Sequence, residues 1–219
     1  NGQPRLLELV NEDGKLLGLE KFTVALTDQV AFSAPLVGKL LLFGLFFGMA
    51  GGLFAFALHK LKALFAQYLP NPLLRIFLFG VLVSGFSLLC WEGRYSGLGT
   101  NLIAMSFDSG IFSWDFALKW IFTVVTLAAG FQGGEVTPLF SIGASLGVLL
   151  GTLCGLPTAF VAALGYAAVF GSASNTLLAP MLIGGGGFCF AYLPYFFVVC
   201  AVAYLCNGGS CIYPLQKGR

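Results

Sequence analysis

The run Gly133-Gly134-Glu135-Val136-Thr137-Pro138 holds the residue types best suited to chemistry in this chain of 219 residues. An apolar segment follows it directly. Proline suits the first helical position, where a missing amide hydrogen costs nothing, and threonine suits the N-cap before it. The spacing therefore predicts a helix with Thr137 as N-cap and Pro138 as its first residue. The opening amides of a helix lack intrahelical acceptors, and the helix dipole places positive potential there. Two glycines let the backbone turn tightly just ahead. The construction reads as an anion cradle made of main chain, with the amides of Gly134, Glu135, Val136 and Thr137 as its candidates. Such donors hold an anion without a full positive charge, which suits a site that must also release it. The same letters also suit an ordinary turn between two broken helices, and both readings stay open here. Glu135 is a carboxylate placed to serve the site, to form a salt bridge, or to reach water at a vestibule.

Other groups carry weaker signals. Asn207-Gly208-Gly209-Ser210-Cys211-Ile212-Tyr213 follows the last apolar block and is placed to re-enter a membrane. The Tyr213 hydroxyl can donate to an anion, although a tyrosine at a membrane edge also serves as an interfacial anchor. Gly143-Ala144-Ser145-Leu146-Gly147 spells the GxSxG pattern of serine hydrolases. That pattern works at a strand-to-helix elbow with a histidine base. Here it falls inside a helical run, and the single histidine, His59, stands in a basic flank. The six cysteines (Cys90, Cys154, Cys189, Cys200, Cys206 and Cys211) have no metal-ligand spacing and read as inert thiols in apolar surroundings. No metal, cofactor or enzymatic activity is expected.

The elements that must position these groups follow from composition. The chain is 58% hydrophobic and 9% charged, with a mean hydropathy of +0.92. Soluble domains carry about 25% charged residues, so hydrocarbon is the expected solvent. Only helices and closed barrels satisfy the backbone there, and long unbroken apolar runs favour helices. The reading is an all-α, multi-pass integral membrane protein of the plasma or inner membrane. A net charge of +2, thinly spread, excludes nucleic acid as a partner.

Residues 1–35 are mixed and polar and read as an extramembrane lead-in with one short amphipathic stretch. Residues 36–219 read as the membrane unit. Its apolar blocks cover residues 36–58, 73–91, 116–130, 138–153, 159–169, 177–183 and 194–205, with a polar interval at 92–114. Several are too short for a bilayer core of roughly 30 Å, which takes about 20 residues. Short segments interrupted by Gly and Pro point to half-helices that meet at a midplane binding site. Basic residues gather after the first block (His59, Lys60, Lys62, Arg75) and in the tail (Lys217, Arg219), which places both ends on the cytoplasmic side. Gly44, Gly48 and Gly52, and later Gly143, Gly147 and Gly151, recur at every fourth position and predict close helix–helix approach. The chain opens at Asn1, not Met, and without a signal peptide, which reads as a fragment or a processed form.

Residues 133–147, GGEVTPLFSIGASLG, resemble the second signature of the CLC chloride channel and transporter family, in which a glycine turn starts a helix whose N-terminus faces the anion. Ser96-Gly97-Leu98-Gly99 before that signature, GYAAVFGSASNTLLA at 165–179 after it, and Tyr213 in the tail keep the order of the family's pieces. The wording GFQGGEVTPLF at 130–140 is similar to the fluoride-exporting branch, which has Val-Thr before the proline. The resemblance implies that the amides of Glu135, Val136 and Thr137 face the anion path and that the Thr137 hydroxyl and Tyr213 add donors. It further implies fluoride, or alternatively chloride, as the ion, antiport against protons, a lipid bilayer as solvent, and a homodimer with one pore per subunit. By the same likeness the chain covers the second of two inverted halves, and a first-half turn of the G-(K/R)-E-G type is absent. A membrane scaffold that transports nothing is the reading of another class. Where the family carries a G-I-E-L-F-G-like run, this chain reads Gly184-Gly185-Gly186-Gly187-Phe188. Four glycines weaken a helix by roughly 1 kcal/mol each relative to alanine, which predicts a loosened segment there.

Overall fold

The computed structural model describes residues 7–10, 16–19, 24, 26, 30, 32–89, 93–108 and 110–213. Two short strands, β1 (Leu7–Val10) and β2 (Leu16–Leu19), pair as an antiparallel hairpin with Leu7 opposite Leu19. Among the described residues eight α-helices follow: α1 (Ala34–Tyr68), α2 (Pro72–Leu89), α3 (Thr100–Phe107), α4 (Asp115–Ala129), α5 (Val136–Cys154), α6 (Thr158–Ala173), α7 (Leu178–Phe188) and α8 (Leu193–Leu205). A single 3-10 turn at Phe190–Tyr192 joins the last two. The architecture is the expected all-helical one, with the hairpin as its addition in the lead-in. Arg5, Glu12, Asp13, Lys15, Glu20 and Lys21 of that lead-in, Cys90, and the tail residues Lys217 and Arg219 lie outside the described residues.

α1, α2 and α5 are long and apolar enough to cross a bilayer, whereas α6, α7 and α8 are apolar but shorter. At about 1.5 Å per residue, the eight residues of α3 span only about 12 Å. α5 and α6 form a tight antiparallel pair at the centre. α1 packs across both α6 and α8. The glycine series set these distances. A Cβ at Gly143 would run into the Gly165 carbonyl, and one at Gly147 would run into Val161 and Ala162. On α1, Gly44 faces Val202 while Gly48 faces Ala203, and Gly52 meets the Asn207 backbone. Between helices that share one apolar solvent, packing and hydrogen bonding replace the hydrophobic drive, and small residues permit both. Ser172 Oγ accordingly donates to the Gly48 carbonyl at 2.7 Å, and Trp120 Nε1 donates to the Ala50 carbonyl at 3.1 Å. Phe140 stacks on Tyr166 with ring centroids 4.0 Å apart. Large apolar side chains on the outside of α1 and α2 are exposed, as lipid-facing residues must be.

Two expectations need correction. The interval 92–114 holds α3, a helix that the polar residues around it hide from a hydropathy reading. The glycine run does not loosen its helix, because α7 continues through all four glycines to Phe188. A Cβ at Gly184 would stand 2.5 Å from the Phe196 ring, and one at Gly185 would press on Phe190. Intimate packing on α8 replaces the lost propensity.

Gly147→Leu is expected to destabilise the fold by about 1–3 kcal/mol or more. Gly38→Ala, on α1 with open space around it, is expected to be neutral or stabilising by about 0.5–1 kcal/mol. Thermal unfolding in detergent followed by size exclusion measures both.

Candidate functional site

The site forms where α4 ends and α5 begins. Gly130 closes α4 in the left-handed region (φ 103°), and Phe131 donates to the Thr126 carbonyl in a six-to-one closure. Arg75 from α2 donates to the Ala129 carbonyl at 2.9 Å, placing a cation at the negative end of α4. Residues 131–135 then reverse the chain.

α5 starts at Val136 with Glu135 as N-cap, two residues ahead of the expected start at Pro138. Thr137 is therefore inside the first turn, not its N-cap. The physical argument survives the shift, because the third helical position also lacks an intrahelical acceptor for its amide and tolerates proline. The amides of Gly133, Gly134, Glu135, Val136 and Thr137 donate no hydrogen bond to any described residue. Neither does the Thr137 hydroxyl, and no side chain caps the helix. Five consecutive donors and a hydroxyl thus face outward at the positive end of a helix whose body is buried.

Two groups on the C-terminal part of α1 organise the rest. Lys62 Nζ stands 3.9 Å from Glu135 Oε1, an ion pair at the rim of the turn with both side chains partly exposed. One turn earlier, His59 Nε2 lies 2.7 Å from the Cys211 carbonyl oxygen, which can only accept, so that nitrogen carries the proton. The segment holding Cys211 is stitched to the end of α6. Ile212 donates to the Ala173 carbonyl at 2.8 Å, and Asn207 Nδ2 reaches the Ser172 carbonyl and Asn175 Oδ1. Asn207 Oδ1 in turn accepts from Gly209. These bonds satisfy helix-end carbonyls and fix the backbone before Tyr213.

Of the predicted residues, Gly134, Glu135, Val136 and Thr137 lie together in one turn. Tyr213 does not line the same hollow. It is 43% exposed and borders a separate open pocket with His59, Lys60 and Phe56. Neighbouring turns of α1 bridge the two places.

Sequence reasoning passed over a polar cluster beside the glycine turn. Asp115, wholly buried at the start of α4, accepts from Arg94 (2.6 Å), the Tyr95 hydroxyl (2.6 Å) and the Phe112 amide (2.8 Å). The hydrogen bond that Arg94 donates to the Asp115 carboxylate raises the guanidinium above its ordinary value. One turn along α4, Lys119 is 1% exposed and donates to the Tyr95 and Gly97 carbonyls at 2.9 and 2.7 Å. A cavity of about 360 Å³ borders Lys119, Gly133, Gly134 and Pro138. The available signal was a pair of charged residues in an apolar helix. Ser145 Oγ is committed to the Ser141 carbonyl within α5 at 2.8 Å, and His59 is bonded elsewhere. The GxSxG letters therefore describe helix packing.

Residues 7–208 match the profile of the voltage gated chloride channel family. A chloride/fluoride channel protein of Pseudomonas syringae pv. tomato is 39% identical over 180 residues, which is 80% of this chain and 40% of that protein. The crystal structure of a CLC-type fluoride/proton antiporter superposes with a TM-score of 0.90 at 53% identity, covering 92% of this chain and 51% of that one. The chain thus spans about half the length of these relatives or less.

Asp115→Ala leaves Arg94 without its carboxylate in a largely buried place, and a loss of about 3–5 kcal/mol is expected. Thermal unfolding in detergent checks the size, and Arg94→Met with Asp115→Leu in one protein is expected to recover much of the loss.

Proposed function

The chain belongs to the voltage gated chloride channel family, and from that premise we propose that it forms one half of an anion-transport pathway with fluoride as its preferred ion. The observation that carries this reading is the row of five amides at 133–137 that have no acceptor among the described residues. The first amides of a helix have no intrahelical acceptor, so donors left open at a helix N-terminus suit an anion that arrives and leaves. Fluoride is compact and strongly hydrated, and the open Thr137 hydroxyl adds a donor to replace lost water. Tyr213 supplies another when the complete pathway brings it to the ion. Both relatives carry fluoride in their descriptions, one of them together with chloride.

Glu135 is the proposed proton-carrying group. Ionised, it is held by Lys62 across 3.9 Å and repels an anion from the amides below. Protonated, it releases Lys62 and becomes a donor itself. Alternation between these two forms links anion entry to proton uptake. Each relative is about twice as long as this chain or more, so the reading includes a complementary half that completes the pathway. It also includes assembly as a homodimer, each subunit with its own pore.

The test uses the complete protein in liposomes with fluoride and chloride electrodes. Thr137→Ala and Tyr213→Phe are each expected to slow fluoride efflux by roughly tenfold, the equivalent of one lost hydrogen bond to a charged group. Chloride flux should change less. Glu135→Gln is expected to uncouple fluoride movement from proton movement. Fluoride flux and selectivity untouched in all three variants would contradict the site, and chloride efflux exceeding fluoride efflux in the parent would overturn the ion.

A further inference from the structure

Tyr213 is the proposed donor that stands apart from the glycine turn, and its place is set by the backbone ahead of it. Residues 207–213 form neither helix nor strand. Gly208 and Gly209 both lie in the left-handed region (φ 66° and 71°), so the stretch has little stiffness of its own and must be held from outside. Most of the bonds that hold it lead to the end of α6. Asn207 reaches Ser172 and Asn175, Ile212 donates to the Ala173 carbonyl, and the Cys211 thiol donates to the Ser174 carbonyl at 3.3 Å. One bond leads the other way. His59 Nε2 donates to the Cys211 carbonyl at 2.7 Å, and among the described residues it is the one side-chain hydrogen bond that joins α1 to this stretch.

α1 meets the stretch at two levels. Gly52 abuts the Asn207 carbonyl, where a Cβ would stand 2.4 Å away. His59 follows about two turns later on the same face and bonds to the residue two before Tyr213. Cys211 is buried, and the Tyr213 amide donates to its sulfur at 3.4 Å. Sulfur is a weak partner, so the short bond from the imidazole is the firm one at this residue. It fixes the 211–212 peptide plane, from which the backbone runs directly to Tyr213. His59 and Tyr213 border the same open pocket. Lys62 is a neighbour of His59 on the helix surface, and it faces Glu135. One helix therefore holds the carboxylate of the turn with one side chain and the tyrosine stretch with another, and so sets the distance between them.

We propose that His59 is the positioning residue for Tyr213: through the Cys211 carbonyl it fixes where the tyrosine hydroxyl stands, without touching the ion. Its effect on transport rests on Tyr213 being an anion donor, as proposed above, whereas its effect on the placement of the ring does not. The role is one of geometry and not of charge. Nε2 carries a proton both in the neutral ring bonded in this way and in the imidazolium, so both forms donate to the carbonyl. A glutamine at 59 would bring an amide N–H to the same reach. An asparagine would be too short, and a phenylalanine would fill the space of the ring and donate nothing.

The test uses the complete protein, with 3-fluorotyrosine incorporated at position 213 for spectroscopy. In fluoride-free detergent solution its fluorine-19 NMR signal is expected to be one narrow resonance, which splits or broadens in His59→Phe and stays single in His59→Gln. In liposomes, with ordinary tyrosine at 213, His59→Phe is expected to slow fluoride efflux about fivefold, the effect of one lost hydrogen bond, and His59→Gln to stay within about twofold of the parent. In a Tyr213→Phe background, His59→Phe should add less than about twofold, whereas its effect and that of Thr137→Ala should multiply. A merely structural bond would slow efflux equally in both backgrounds. If His59→Phe does not fold, His59→Asn carries the same expectations. A resonance unchanged by loss of the His59 bond, or a slowing that persists undiminished without the Tyr213 hydroxyl, overturns the proposal. A resonance that depends on His59 while Tyr213→Phe leaves efflux unchanged upholds the placement and overturns the tyrosine's part in holding the ion.

Discussion

Five backbone amides at residues 133–137 donate to no acceptor among the described residues, and the rest of the structure serves to keep them so. A free helix N-terminus would ordinarily be closed by a side chain or by a fold of the preceding loop. Here closure is prevented from both sides. Gly130 ends α4 in a left-handed turn that carries the chain away from the first turn of α5. The N-cap residue Glu135 makes no side-chain cap, and its carboxylate instead faces Lys62 on α1. The glycine series of α5 clamps the helix body against α6 so closely that α5 cannot rotate or slide without a backbone clash. The open donors are therefore a rigid feature of the fold, preorganised by packing several turns away.

The charge pattern follows the same logic. Lys39 caps the other end of α5 by donating to the Cys154 carbonyl at 2.8 Å, and Arg75 caps α4 in the same way. Cations thus sit at negative helix ends, where they are favourable. Lys62 and Lys119 are placed otherwise, near the 133–137 turn. Lys62 reaches Glu135 at its rim, and Lys119 lines the cavity behind the two glycines. Neither forms an ordinary buried salt bridge, and together they raise the potential at a turn that contains a carboxylate and is proposed to attract an anion.

Much of this was legible from letters alone. Composition forces helices in hydrocarbon, the four-residue glycine spacing locates the tight helix pairs, and GGEVTP marks the start of α5 to within two residues. The errors have physical causes. α3 was hidden because Gly97 and Gly99 before it, and Asp108 and Gly110 after it, lower the hydropathy of a helix only eight residues long. The glycine run of α7 was misjudged because helix propensity is a local quantity, whereas the contacts with Phe196 and Phe190 that stabilise it lie elsewhere in the chain. The turn itself was legible because a glycine pair, a threonine and a proline act through neighbouring backbone. Lys119 and Lys62 were not, because only the tertiary fold shows which charges lack a carboxylate and which face the turn.

The most direct test of the central claim removes one donor and nothing else. An amide-to-ester replacement at Val136 in the complete protein, made by incorporating the corresponding hydroxy acid, deletes that N–H while keeping the side chain and the helix. Fluoride binding measured by titration calorimetry in detergent is expected to weaken by roughly tenfold, as loss of one hydrogen bond to an ion requires. Equal affinity in the ester and amide proteins would contradict the account, because the open amides would then have no part in holding the anion.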